Sequence, residues 1–277
     1  MKRSPEYQRL TTNLERARAD AHELGPESEE GKQKIKLAQS LDDQRSMCLA
    51  YILMRKVIGV LAAALPIVVL IVGKVFYHQG IPGSISGYYY THLRTYFTGT
   101  LCVLGVFMFT YQLRDVDEYK WDNILSTFAG VTALGVAFFP TTPNVDKLSS
   151  GQKGAGTVHL LCAGALFAFL AVFALVIFRK HKGYLSGRKK LRNKIYAVCG
   201  GIIAGCIVII LVMRVVANGR SGNSLYWLEA VAVVAFGVSW LVKGETFPFL
   251  NDTQEDIVKA LQPPTPPTAD SVTAGAS

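Results

Sequence analysis

Six long apolar runs dominate the chain: Val57–Gly73, Thr95–Leu113, Asn123–Pro140, Thr157–Phe178, Ile195–Val216 and Leu225–Val242. Each is close to the about 20 residues that carry a helix across about 30 Å of hydrocarbon. Apolar positions recur on every side of each predicted helix instead of along one stripe. That is the pattern of a helix surrounded by lipid, where only a helix satisfies its own backbone. Tyr96, Tyr111, Trp121, Tyr196, Tyr226 and Trp240 fall near the run ends, where amphipathic rings form interfacial belts. The pattern predicts an all-α fold, a polytopic membrane bundle of six transmembrane helices. A soluble helical bundle is the alternative it displaces. Polar sequence of about fifty residues precedes the first run, so that run is expected to remain in the mature protein instead of serving as a cleaved leader.

The flanks read differently. Leu10, Leu14, Ala17, Ala21 and Leu24 recur at three- and four-residue spacing, an amphipathic helix. Gly25-Pro26 breaks it. A second helix can start near Ser28, pass through Ile35, Leu37 and Leu41, and continue into the first run through Leu49–Met54. Residues 1–47 are therefore read as a cytosolic helical extension. It forms a hairpin that packs on the bundle or on a second subunit, or recruits a cytosolic partner, or else serves as a solvated tether. Residues 48–245 form the six-helix domain. Residues 246–277 form a cytosolic tail, expected to be disordered from about 262, where Pro-Pro-Thr-Pro-Pro and small polar residues cannot build a core.

Composition agrees with the membrane reading: 50% of residues are apolar and 18% charged, against about 25% charged in soluble domains. The net charge of +9 would suggest a nucleic-acid partner if it were spread along the chain. Instead Arg179–Lys194 alone holds eight basic residues and no acidic one, and the rest is nearly balanced at 21 to 20. No nucleic acid is expected. With the N-terminus inside, inner segments carry Arg55, Lys56, Arg114, Lys120, the basic stretch and Lys243. Outer segments carry Lys74, Arg94, Lys147, Lys153, Arg214 and Arg220. The asymmetry places both termini in the cytosol. The basic stretch sets topology, or also rests on anionic membrane lipid at roughly 1 kcal/mol per side chain. Cys48, Cys102, Cys162, Cys199 and Cys206 match no zinc spacing and read as small buried hydrophobes without a disulfide.

Small residues predict helix contacts. Gly201 with Gly205, Gly164 with Ala168, and Ala129 with Ala133 each have the four-residue spacing that lets backbones approach. Pro66 is expected to kink the first span or free a carbonyl. Polar residues at membrane depth are costly and so carry more weight. On the predicted outer side Glu229, Arg214, His159, His92 and Arg94 gather, with the loop Gly83–Arg94 and Pro140-Thr141-Thr142-Pro143 on the same face. Three readings are open. Arg94, His159, Arg214 and Glu229 can bind or translocate a small anionic or lipid-like ligand. His92, His159 and Glu229 can hold zinc with an open position, as in a metal-dependent hydrolase. Alternatively Glu229 and Arg214 form a buried pair that fixes helix register, with the tyrosines and histidines at the interface. The charged stretch Arg114, Asp115, Asp117, Glu118, Lys120 and Asp122 reads as a solvated turn, with Asp122 and Asn123 capping the following helix.

The run Ser84-Ile85-Ser86-Gly87-Tyr88-Tyr89-Tyr90-Thr91 followed by Arg94, Phe97 and Gly99 resembles an uncharacterised group of bacterial polytopic, six-helix membrane proteins. So do Asp122-Asn123 with Ala129-Gly130, Ala133-Leu134-Gly135-Val136-Ala137 with Phe139-Pro140-Thr141, and Trp227-Leu228-Glu229-Ala230 with Ser239-Trp240-Leu241-Val242-Lys243-Gly244. The resemblance covers roughly residues 55–245 and implies a multi-pass inner (plasma) membrane protein. More distantly, Ser84 or Ser86 with His92 is similar to the first part of the site in the superfamily of alkaline ceramidases and progestin/adiponectin-type receptors. Those proteins place a serine, an aspartate and three histidines around zinc. Their His-x-x-x-His pair has no counterpart in the sixth run, which contains no histidine. The remaining class is a non-catalytic signalling or assembly protein, acting as a homo-oligomer or through residues 1–47.

Overall fold

A computed structural model describes residues 5–111, 120–145, 147–180, 186–216, 222–253 and 256, which are helical or in connecting loops with no strand among them. Helices α1 (Pro5–Leu24) and α2 (Glu29–Tyr77) form an antiparallel hairpin. Gly25 turns the chain at φ 78°, a left-handed conformation that a side chain resists. Ser28 then caps α2, its Oγ accepting the Gly31 N–H at 2.9 Å. A Cβ at Gly31 would stand 1.9 Å from the Gly25 carbonyl oxygen, so the turn closes only on glycine. Leu14, Ala17 and Ala38 are buried in the seam with Leu41 against them, and Lys34 pairs with Asp20 at 2.6 Å across it. The amphipathic stripe thus packs α1 on α2 of the same chain. No break separates hairpin from bundle: α2 runs 49 residues, about 73 Å, so position 47 lies inside a continuous helix.

The remaining helices are α3 (Arg94–Thr110), α4 (Lys120–Phe138), α5 (Ser150–Leu175), α6 (Gly187–Val216) and α7 (Ser224–Lys243). Successive helices pack side by side, and α7 closes the ring on α2. The all-α class is present. Of the six expected spans, four are long and apolar enough on their own: α2, α5 with its extension to Arg179, α6 and α7. Helix α3 has 17 residues, and α4 opens on the polar Lys120-Trp121-Asp122-Asn123.

Packing corrects the expected small-residue contacts. Gly201, Gly205 and Gly164 face open space. Backbones instead meet at Gly59 and Gly237, where a Cβ on Gly237 would lie 2.7 Å from the Gly59 carbonyl oxygen, and at Gly105 and Gly130. Ala129 and Ala133 are buried as expected. The aromatic belt is also corrected. Tyr111, Tyr196, Tyr226 and Trp240 are buried inside the bundle, whereas Trp121 is 72% exposed. Trp240 is the hub, with Tyr111 at 5.1 Å and Phe178 at 5.2 Å between ring centroids. Outward faces are apolar throughout: Val60, Ile67 and Ile71 on α2, Val106 on α3, Val131 on α4, Leu161 on α5, Val208 and Val212 on α6, and Val231 on α7. A belt of this extent is what lipid covers.

Candidate functional site

The helix directions gather the polar residues at two ends of the bundle. One is the loop end, where α2 leads through residues 78–93 into α3. The other is the basic end, where α6 begins and α7 finishes.

At the loop end the chain folds down onto α7. Gly83 adopts φ 84° and its carbonyl accepts the Tyr226 N–H at 2.8 Å. Two residues on, the Ile85 N–H donates to Glu229 Oε2 at 2.7 Å. Tyr226 Oη reaches across to α2 and donates to the Pro66 carbonyl at 2.6 Å. The proline lacks a backbone N–H in mid-helix, which frees the carbonyl one turn earlier, and the tyrosine hydroxyl bonds the proline's own carbonyl. A 3-10 turn over Ser86–Tyr90 follows, pinned by the Gly87 N–H donating to Ser84 Oγ at 3.0 Å. Ser84 and Ser86 lie with their hydroxyls 3.1 Å apart, within this turn. Tyr88 is buried, which pushes its phenol pKa up. Tyr90 donates to the Thr141 carbonyl at 2.5 Å. Its own pKa is raised by burial and by Tyr89, against the pull of Arg94.

The four residues expected to hold a ligand are each engaged separately. Arg94 is exposed, donates from Nη2 to Tyr89 Oη at 2.5 Å and lies 4.1 Å over that ring. His159 is 4% exposed and its Nδ1 donates to the Phe139 carbonyl at 2.7 Å, tying α5 to the end of α4. Glu229 holds the loop backbone. Arg214 is exposed near the end of α6 and closes no ion pair with Glu229. The expected buried pair is thereby corrected: backbone, not arginine, satisfies the carboxylate. The zinc set His92, His159 and Glu229 is not assembled either. His92 stacks on Tyr77 at 4.9 Å, whereas His159 and Glu229 bond the backbone at Phe139 and Ile85. Among the described residues no three His, Cys, Asp or Glu side chains group around a point that could hold a metal ion.

The basic end holds residues whose roles the sequence did not disclose. Asp122, expected to cap α4, instead lies inside its first turn, is 4% exposed and pairs with Lys180. Arg55 Nε donates to Tyr111 Oη at 3.0 Å. Arg192 pairs with Asp252 at 2.7 Å, and Ser186 donates to the same carboxylate at 2.6 Å. The first residues of the expected tail are therefore ordered: Pro248–Leu250 form a 3-10 turn, and Leu250 and Asn251 are buried. The only sequence signal for this arrangement was the clustering of cations itself. Arg114, Asp115, Asp117 and Glu118, Lys182, Arg220 and the tail from 262 lie outside the described residues.

Comparison with known proteins adds no relative: no family model matches the chain, no curated protein matches its sequence, and no solved structure matches its fold.

Proposed function

We propose that the chain is an inner-membrane protein whose helices α2–α7 all cross the bilayer with both termini cytosolic, and that it acts as a non-catalytic assembly or signalling protein through the α1–α2 hairpin. The observation that carries this reading is the continuity of α2. A partner gripping the hairpin pulls on a single helix that also packs against α3 and α7, not on a flexible linker. The six-span part is supported by the closed helix ring, by apolar outward faces on α3 and α4 as on the longer helices, and by the basic residues collected at one end. The experiment is gentle extraction of the full chain and of a variant lacking residues 1–45, with assembly size read by native electrophoresis. A larger assembly for the full chain, lost in a shortened chain that still inserts, supports the reading. Identical sizes overturn it.

A second reading is favoured by Arg94, whose exposed guanidinium is held in place by Tyr89. This reading is binding or transport of a small anionic or lipid-like ligand at the loop end. Glu229 and His159 then hold the loop and the helix ends and do not touch the ligand. Arg94→Ala would abolish ligand binding or uptake with the hairpin intact, whereas removal of residues 1–45 would leave it unchanged.

A further inference from the structure

Three cations at the basic end converge on one aromatic floor. Lys189 Nζ, on α6, donates to the Phe178 carbonyl at 3.2 Å. Lys243 Nζ, at the end of α7, lies 5.7 Å from the Phe178 ring centroid. Arg55, on α2, packs beside Gly244, where a Cβ would meet its own Cβ at 3.2 Å, and holds Tyr111, which packs edge-on against Trp240. The three come from three different helices, so only the tertiary fold brings them together.

Two of the described carboxylates nearby are committed. Asp122 pairs with Lys180, and Asp252 pairs with Arg192. Glu245 follows α7 at φ 57° and closes no ion pair among the described residues. Burial raises its pKa against the pull of Arg55, Arg192 and Lys56. Among the described residues no carboxylate lies within ion-pair distance of Arg55, Lys189 or Lys243. One more donor is unspent. The Trp240 indole N–H is fully buried, one turn before Lys243 on the same helix face, and has no acceptor among the described residues.

Like charges crowded into a partly desolvated site repel unless an anion joins them. A tetrahedral anion with several acceptor oxygens fits a planar guanidinium and two ammonium groups together. Basic pockets between helix ends near a membrane surface suit this chemistry. We propose that the basic end binds a phosphate group between Arg55, Lys189 and Lys243, supplied by an anionic phospholipid headgroup or by free phosphate.

The test uses the full chain in micelles of a maltoside detergent, which carries no phosphate. Thermal unfolding is followed as inorganic phosphate is titrated in, and separately as phosphatidylglycerol is added to the micelles. Wild type is expected to gain Tm with one of the two additions. A gain with inorganic phosphate identifies the free ion, and a gain with phosphatidylglycerol alone identifies the headgroup. Lys243→Met and Arg55→Met should weaken the midpoint of that response about tenfold or abolish it. In micelles with neither addition, Lys243→Met should keep or raise Tm, since it removes a repelled charge, and this separates loss of binding from loss of fold. Lys190→Met and Lys194→Met remove exposed charges on the same helix and should respond as wild type. No response of wild type to either addition overturns the site. So does an equal loss of response in the Lys190 and Lys194 variants, which would make it general surface attraction.

Discussion

At the loop end of the bundle, polar side chains reach inward and meet backbone: Glu229 meets Ile85, His159 meets Phe139, Tyr226 meets Pro66 and Tyr90 meets Thr141. At the basic end, charged side chains meet one another and aromatic faces: Lys180 meets Asp122, Arg192 meets Asp252, and Arg55 and Lys243 lie over Tyr111 and Phe178. Backbone partners are held by the helices that carry them, so the loop end is a fastened cap in which charge has no reason to gather. Side-chain partners can be outnumbered, and among the described residues of the basic end the cations outnumber them. The two ends therefore differ in what they need from outside. At one the chain's own backbone supplies most of the partners, and the other calls for a counter-charge.

Four substitutions test that contrast, starting with the largest expected effect. Lys180→Met removes the half-exposed cation paired with the buried Asp122 carboxylate, a loss of up to about 3 kcal/mol. It should appear as a lowered unfolding midpoint in detergent mixtures, and Asp122→Asn added to it should recover most of the loss. If the double variant is no better than the single one, the two side chains are not acting as a pair. Glu229→Ala should cost about 1–3 kcal/mol by orphaning the Ile85 N–H. Hydrogen exchange at Ile85 and protease cleavage within residues 83–93 should both accelerate, while Glu229→Gln, which keeps an acceptor, stays near wild type. Equal damage from Gln and Ala would mean that the carboxylate charge matters, and would bring the loop end closer to the basic end in kind. Tyr226→Phe removes one hydroxyl bond and should cost about 1 kcal/mol with the loop still closed. Arg214→Ala should shift stability by less than about 0.5 kcal/mol, since the side chain is exposed and not ion-paired to Glu229. A drop comparable to that of Glu229→Ala would restore the pair that the loop backbone displaces.

Much of the fold was legible because the signals were local. Each apolar run has a helix along most of its length among the described residues, and Gly25 and Ser28 mark the hairpin turn where their chemistry predicts it. Contact faces were less legible. Gly201 and Gly205 have the same spacing as many packed pairs, yet they face outward. Gly59 and Gly237 make the tight crossing although they stand 178 positions apart and belong to no shared motif. Spacing within one helix says which residues share a face, not which face finds a neighbour. The tyrosines and Trp240 failed as interface markers for the same reason. A ring near a helix end is equally suited to a lipid boundary and to a packed interior, and here the interior holds most of them.

The candidate site follows the same division. The sequence pointed to Glu229 as a costly charge at membrane depth, and the structure gives that carboxylate a structural task with Ile85. It located the basic stretch but not the convergence of Arg55, Lys189 and Lys243, which come from three helices. Hydrophobicity and turn chemistry act over a few residues, so by itself the sequence determined the helices, the hairpin, the membrane-like composition and the concentration of positive charge. Which donor meets which acceptor depends on groups 20 to 160 residues apart along the chain. Only the closing of α7 onto α2 decided that one end of the bundle is sealed by its own backbone and the other is left with cations to be neutralised.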